Sequence, residues 1–208
     1  MNCKIIGYDL KSLEVELGYG EKFYCGRGAI IYHEGGIDKK VKIVNKGLTG
    51  LLKRTVSGES LFLVELVNNA SASRKLMVAG KMGLLPVDLT AFPSGIICRK
   101  GFYVASSKDV DIDFSLNLSS LIGGTGLIMQ KISGSGTVFL DSMGTAICLD
   151  VSCGDMVFVD EKSFLCIDAA AQSQLSANFS GKGFLGGEGI SMYQIQGPAK
   201  VYINSVNY

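Results

Sequence analysis

Few residues in this chain of 208 could do chemistry: one histidine, six cysteines and scattered carboxylates. His33 would have to be the base of any nucleophilic triad. It lies in Ile31-Tyr32-His33-Glu34-Gly35-Gly36, which reads as a turn at a strand end, and no G-x-S-x-G elbow occurs. A single imidazole also excludes the metal centres built from several histidines and a carboxylate. Cys3, Cys25, Cys98, Cys148, Cys153 and Cys166 contain no C-x-x-C pair. Cys25, Cys98, Cys148 and Cys166 sit in apolar runs of strand character, so the cysteines read as buried, reduced thiols. Gly80-Lys81 and Gly181-Lys182 lack the Ser/Thr and the earlier glycine of a phosphate loop. Asp111 with Asp113, and Asp160 with Glu161, fit the wet face of a strand better than a cation site. The expectation is a protein with no catalytic residue, no cofactor and no metal, and hence not an enzyme.

Charge points instead to surfaces. Residues 1–108 carry 16 Lys/Arg against 9 Asp/Glu and residues 109–208 carry 4 against 10, so a chain of net charge +1 has a basic and an acidic half. Lys39, Lys40, Lys42, Lys46, Lys53 and Arg54 fall within 39–54 without an intervening acid, a pattern suited to a phosphate backbone or an anionic surface. Alternation in Lys40-Val41-Lys42-Ile43 turns both lysines outward and both apolar residues inward, as in a half-buried strand. The candidate interaction surface is therefore Lys40, Lys42, Lys53, Arg54 and Glu59. Aromatic residues for base stacking are sparse in this stretch, which argues against single-stranded RNA.

The elements that would position these residues are strands. Twenty-seven glycines beside three prolines indicate many turns in an ordered fold. Gly123–Ser142 (GGTGLIMQKISGSGTVFLDS) and Gly186–Ser205 (GGEGISMYQIQGPAKVYINS) share eight of twenty positions. A weaker copy, Gly47–Leu66, aligns Gly58 with Gly134 and Gly197. Each copy reads as a hairpin, Leu127 to Ile132 and Thr137 to Asp141 around a glycine turn. Lys53, Arg54 and Glu59 stand out because the other copies carry mostly neutral residues there. Upstream, Val15-Glu16-Leu17, Val87-Asp88-Leu89 and Leu149-Asp150-Val151 precede Arg27-Gly28-Ala29, Lys100-Gly101-Phe102 and Lys162-Ser163-Phe164 at nearly constant spacing. The prediction is one all-β domain over 1–208, with very little helix, made of three repeats at about 10–77, 78–142 and 143–208.

These strings resemble the altered inheritance of mitochondria protein 24 family. The residues that carry the resemblance are Leu51-Leu52-Lys53-Arg54, Ser57 to Phe62, Gly134-Ser135-Gly136-Thr137-Val138, Gly187-Glu188-Gly189 and Gly197-Pro198-Ala199. The family usually has glycine where this chain has Ala199. The resemblance implies a three-repeat β-sandwich of the double-stranded β-helix kind, like that of the tryptophan RNA-binding attenuation proteins, and a homo-oligomer, with a trimer favoured. It implies no known reaction and names no protein partner.

The functional expectation is an uncharacterised, non-enzymatic β protein acting as a self-associating scaffold or binding module. A nucleic-acid or anionic-surface binder using residues 39–54 is the first alternative, and a small-ligand or sugar-binding module the second. No apolar leader precedes the first strand, no run is long enough to span a membrane and the thiols are reduced, so a cytoplasmic setting is expected.

Overall fold

The computed structural model describes residues 1–8, 10–43, 62–113, 129–179 and 191–206. These are almost entirely antiparallel β structure with two short 3-10 turns, Leu89–Ala91 and Ala169–Gln174. After β1 (Asn2–Ile6) the described strands fall into three runs of six. The first run is β2 (Ser12–Leu17), β3 (Lys22–Gly26), β4 (Ile30–His33), β5 (Ile37–Ile43), β6 (Phe62–Asn68) and β7 (Arg74–Ala79). The second is β8 (Gly83–Asp88), β9 (Ile96–Arg99), β10 (Tyr103–Ser106), β11 (Val110–Asp113), β12 (Met129–Gly134) and β13 (Thr137–Ser142). The third is β14 (Ala146–Val151), β15 (Met156–Asp160), β16 (Phe164–Asp168), β17 (Leu175–Phe179), β18 (Ser191–Gln196) and β19 (Ala199–Asn204).

The strands form four sheets: A (β1-β2-β7-β4), B (β5-β6-β3-β10-β13-β8), C (β11-β12-β9-β16-β19-β14) and D (β15-β18-β17). In every run the first, sixth and third strands lie side by side in one sheet, and the fourth, fifth and second in another. Sheets B and C each combine half of one run with half of the next. The joint is antiparallel and uses the second strand of one run and the third strand of the next. In β3·β10, Cys25 faces Ala105 and Tyr24 faces Ser106; in β9·β16, Cys98 faces Cys166 and Ile97 faces Ile167. Each third strand also bulges at the same place against its sixth strand, between Ile30 and Tyr32, Tyr103 and Ala105, and Phe164 and Cys166.

The glycine turns do not close hairpins. β12 pairs with β9, with Gln130 opposite Cys98, whereas β13 pairs with β10, with Tyr103 opposite Leu140. β18 and β19 likewise belong to sheets D and C. The short link after Gly134, with Gly136 at φ 86°, turns the chain out of one sheet and into another. A tight turn reports only that the chain reverses; here both flanking strands are central strands, already paired on both sides within their own sheets.

By its internal contacts the chain divides into two compact units, limits that differ from a division into three repeats. One comprises Met1–Val87, Tyr103–Asp111 and Ser135–Asp141, the other Asp88–Phe102, Ile112–Gly134 and Ser142–Tyr208. The core of the first holds Leu13, Val15 and Leu17, alternate residues of β2, with Phe23, Leu66, Leu76 and Phe139. The core of the second is centred on Phe164 and Tyr193, whose rings meet edge to face at 5.1 Å, with Ile97, Ile167, Leu175 and Val201 around them.

One polar contact recurs. Asp141, near the end of β13, is buried, and its Oδ1 accepts the backbone N–H groups of Lys81 at 2.9 Å and Met82 at 3.3 Å. Only glycine fits at position 80, because a Cβ there would lie 2.5 Å from that oxygen. At the end of β19, Asn204 Oδ1 accepts the N–H of Met143 at 2.9 Å. Each side chain ties the last strand of a run to the turn before its first strand. Burial raises the Asp141 carboxyl above its ordinary range, opposed by the N–H groups of Met82 and Lys81 and by the Lys81 ammonium. A carboxyl raised in the folded chain holds its proton more tightly there than in the unfolded chain, so its contribution to stability falls as pH rises through the raised value. Asp141→Asn, which keeps the accepting oxygen, is expected to flatten that part of the stability profile above about pH 4. Asp141→Ala removes the acceptor of two part-buried backbone donors and is expected to cost about 1 kcal/mol. Urea unfolding of both variants across pH measures the two effects.

Candidate interaction surface

Lys40 and Lys42 lie on β5, an edge strand of sheet B, and both are exposed. Lys40 is opposite Glu65 and Lys42 opposite Leu63. The Lys42 ammonium is ion-paired with Asp109 and stands 5.9 Å from the centre of the Tyr24 ring. Glu65 accepts from Lys22 Nζ at 3.4 Å. Two ammonium groups of this face, those of Lys42 and Lys22, are thus answered by carboxylates. Tyr24 is buried beneath them, and its hydroxyl is pushed up to about 12 by burial first and by Glu65 and Asp109 next. The expected inward placement of the apolar residues fails at Val41, which shares a side of β5 with buried Ile37 but is 70% exposed on this edge strand, with Val64 opposite it.

Lys53, Arg54 and Glu59 lie outside the described residues, as do the glycines that open the two strong sequence copies. The alignment that singled these residues out needs correction. It set Gly58 opposite Gly134, whereas the strand order sets β6, Phe62–Asn68, opposite β12, Met129–Gly134. Matching Gly58, which precedes β6, with Gly134, which ends β12, displaced the frame by one strand.

The residues considered for chemistry have structural partners. His33 Nδ1 is 3.0 Å from the Glu34 carbonyl oxygen, and Glu34 Oε2 accepts the N–H of Lys75 at 2.9 Å. Asp160 Oδ1 accepts the N–H of Lys162 at 2.8 Å, which closes a turn. Asp111 and Asp113 alternate with buried Val110 and Ile112. A cleft of about 470 Å³ in the second unit is lined by Asp150, Asp168, Gln174 and Lys200 among others. Asp150 faces Lys200 at 3.5 Å, and Asp168 caps the turn at Ala170 N at 2.8 Å, so neither carboxylate is unengaged. Among the described residues no three His, Cys, Asp or Glu side chains gather as a metal site, and no helix is long and apolar enough to cross a membrane.

Two features escaped the sequence reading. β4, at one edge of sheet A, exposes Ile31 and Tyr32, and β15, at one edge of sheet D, exposes Met156 and Phe158. Ile31 and Tyr32 fall in a stretch that reads as a turn at a strand end, and only place in the strand order marks both segments as open edges.

Known proteins match the whole of this arrangement. The family described as mitochondrial biogenesis AIM24 matches residues 3–206. The chain belongs to the AIM24 family. An uncharacterized protein of Streptococcus pyogenes serotype M6 is 23% identical over 211 residues, covering 94% of this chain and 81% of that protein. A crystal structure of a protein from Streptococcus pyogenes superposes with a TM-score of 0.71 at 20% identity, covering 99% of this chain and 94% of that one. At this identity the likeness is one of fold.

All six cysteines of this AIM24-family chain are free thiols, and they divide by burial. Cys25, Cys98 and Cys166 are buried, and burial pushes Cys25 and Cys98 up to about 12 and Cys166 well above its ordinary value. Cys148, expected inside, is exposed because β14 is the edge strand of sheet C, and Cys153 is exposed in the following turn. Thiol titration of the native protein is expected to modify Cys148 and Cys153 at once, and Cys25, Cys98 and Cys166 only after denaturant is added. Rapid modification of all six in the native state would contradict the burial described.

Proposed function

We propose that this AIM24-family chain is a non-enzymatic scaffold or binding module, built of three six-strand repeats, that works as a homo-oligomer. The observation that supports it most is the recurrence of one strand order in β2–β7, β8–β13 and β14–β19, which leaves β4 and β15 as edge strands without the neighbour that the β3·β10 and β9·β16 joints supply to their counterparts. A trimer is the state favoured by the family resemblance. Free thiols fit a reducing, cytoplasmic setting. The side chains best suited to catalysis or metal binding instead hold turns and strand ends, as Asp141, Asp168 and Glu34 do.

Exposed Lys40 and Lys42 on an edge strand favour, as a second reading, attachment to an anionic surface; the ion pair from Lys42 to Asp109 weakens it. Light scattering on a sizing column at low and moderate salt, with the absorbance ratio recorded, separates the two. The scaffold reading expects one salt-insensitive species of about three times 22.1 kDa, free of nucleic acid. A monomer, or a nucleic-acid-rich complex that falls apart with salt, would contradict it.

A further inference from the structure

We propose that Cys98 and Cys166 are a reversible disulfide site, at which a small-molecule disulfide converts two free thiols into one bond that staples β9 to β16. Cys98 faces Cys166 across this antiparallel joint, so both side chains lie on one face of sheet C. Directly opposed residues of an antiparallel pair have Cα atoms about 4.5 or about 5.5 Å apart, and a disulfide spans roughly 4.4–6.8 Å. The backbone pairing therefore holds the two cysteines within bonding reach. Both are free and 0% exposed.

The equivalent joint of the other unit is an internal control. Across β6, β3, β10 and β13 the row reads Val64, Cys25, Ala105 and Phe139. Across β12, β9, β16 and β19 it reads Gln130, Cys98, Cys166 and Tyr202. Three of the four positions differ, and each difference adds a polar or reactive group: glutamine for valine, cysteine for alanine and tyrosine for phenylalanine. Only the second joint sets thiol against thiol. Exposed Cys148, opposite Tyr202 on edge strand β14, continues that row to the surface.

Gln130 serves the sulfur rather than the packing. It is 0% exposed, its Nε2 donates to Cys98 Sγ at 3.4 Å, and its Oε1 has no hydrogen-bond partner among the described residues. Burying an amide with an unused acceptor costs stability that an apolar residue such as Val64 does not. An N–H directed at the sulfur favours the thiolate, the form that attacks a disulfide, so Gln130 is a positioning residue for Cys98. Burial acts the other way and raises both thiols, so exchange proceeds when the joint opens locally.

The exchange balances in two steps. The Cys98 thiolate attacks one sulfur of the small disulfide; a mixed S–S bond forms, the original S–S bond breaks and one small thiolate leaves. The Cys166 thiolate then attacks Cys98 Sγ, the mixed bond breaks and the second small thiolate leaves. The protons given up by the two cysteines pass to the departing thiolates, and the pair is oxidised by two electrons as the small disulfide is reduced by two. The new bond ties the second run to the third, and a reducing thiol reverses it.

Glutathione disulfide is the probe, applied in excess to the Cys148→Ser, Cys153→Ser protein in buffer and in urea just short of its unfolding transition. Peptide mass mapping is expected to show one Cys98–Cys166 link with the loss of two hydrogens from the chain. The urea midpoint should rise on linkage and return when dithiothreitol is added. Cys166→Ala, which reproduces the row at Ala105, should abolish both changes. Gln130→Val, which reproduces Val64, should link more slowly and shift the rate-against-pH curve to higher pH; a purely structural Gln130 would leave that curve in place. Thiols that stay intact under both conditions, a glutathione adduct on Cys98 that never closes, or links from either cysteine to Cys3 or Cys25 would each overturn the pair.

Discussion

Antiparallel pairing of the second strand of one run with the third strand of the next is the constraint on which the rest of the structure depends. Each half-run supplies only three strands, and a three-stranded sheet with two open edges covers little core. Joining halves across β3·β10 and β9·β16 makes six-stranded sheets and converts β10 and β16 from edges into central strands. Their side chains change accordingly: Val104, Ala105, Leu165 and Cys166 are buried, and each large apolar residue so covered contributes about 1.5–3 kcal/mol. These joints pair mostly apolar residues and thiols, with Ser106 the buried polar exception, its hydroxyl 2.8 Å from that of Tyr103 and donating to the Lys108 carbonyl oxygen at 2.7 Å.

β1 covers one side of sheet A, yet the β4 side and the β15 side keep the apolar residues of an internal joint. The basic stretch has a smaller part within the described residues, because Lys42 and Lys22 already face Asp109 and Glu65.

Much of the fold was legible in the sequence. Alternation in Ser12–Leu17 marks β2, and the acidic strand followed by a basic-glycine or basic-serine turn marks the first three strands of each run. What the glycine strings could not tell was pairing. Gly134 and Gly136 announce a reversal, and whether the chain returns along the same sheet or enters another depends on which neighbours are already paired. The first copy was misplaced for a related reason: its turn from β6 to β7 lengthens through Asn69–Ser73, and buried Asn68, which donates to the Leu17 and Ala72 carbonyl oxygens, holds it instead of a glycine. On the surface, Lys40 and Lys42 read correctly as outward-facing, but Asp109 lies 67 residues from Lys42, beyond any local pattern. The β4 and β15 edges were invisible, because only the strand order distinguishes Ile30–His33 and Met156–Asp160 from strands that are covered.

Hydrogen exchange followed strand by strand tests the β3·β10 and β9·β16 joints most directly. If they hold the sheets together, the backbone amides of β10 and β16 exchange as slowly as those of the other central strands of sheets B and C, and those of the edge strands β4 and β15 exchange faster. Exchange in β10 and β16 as fast as in β4 and β15 would contradict it.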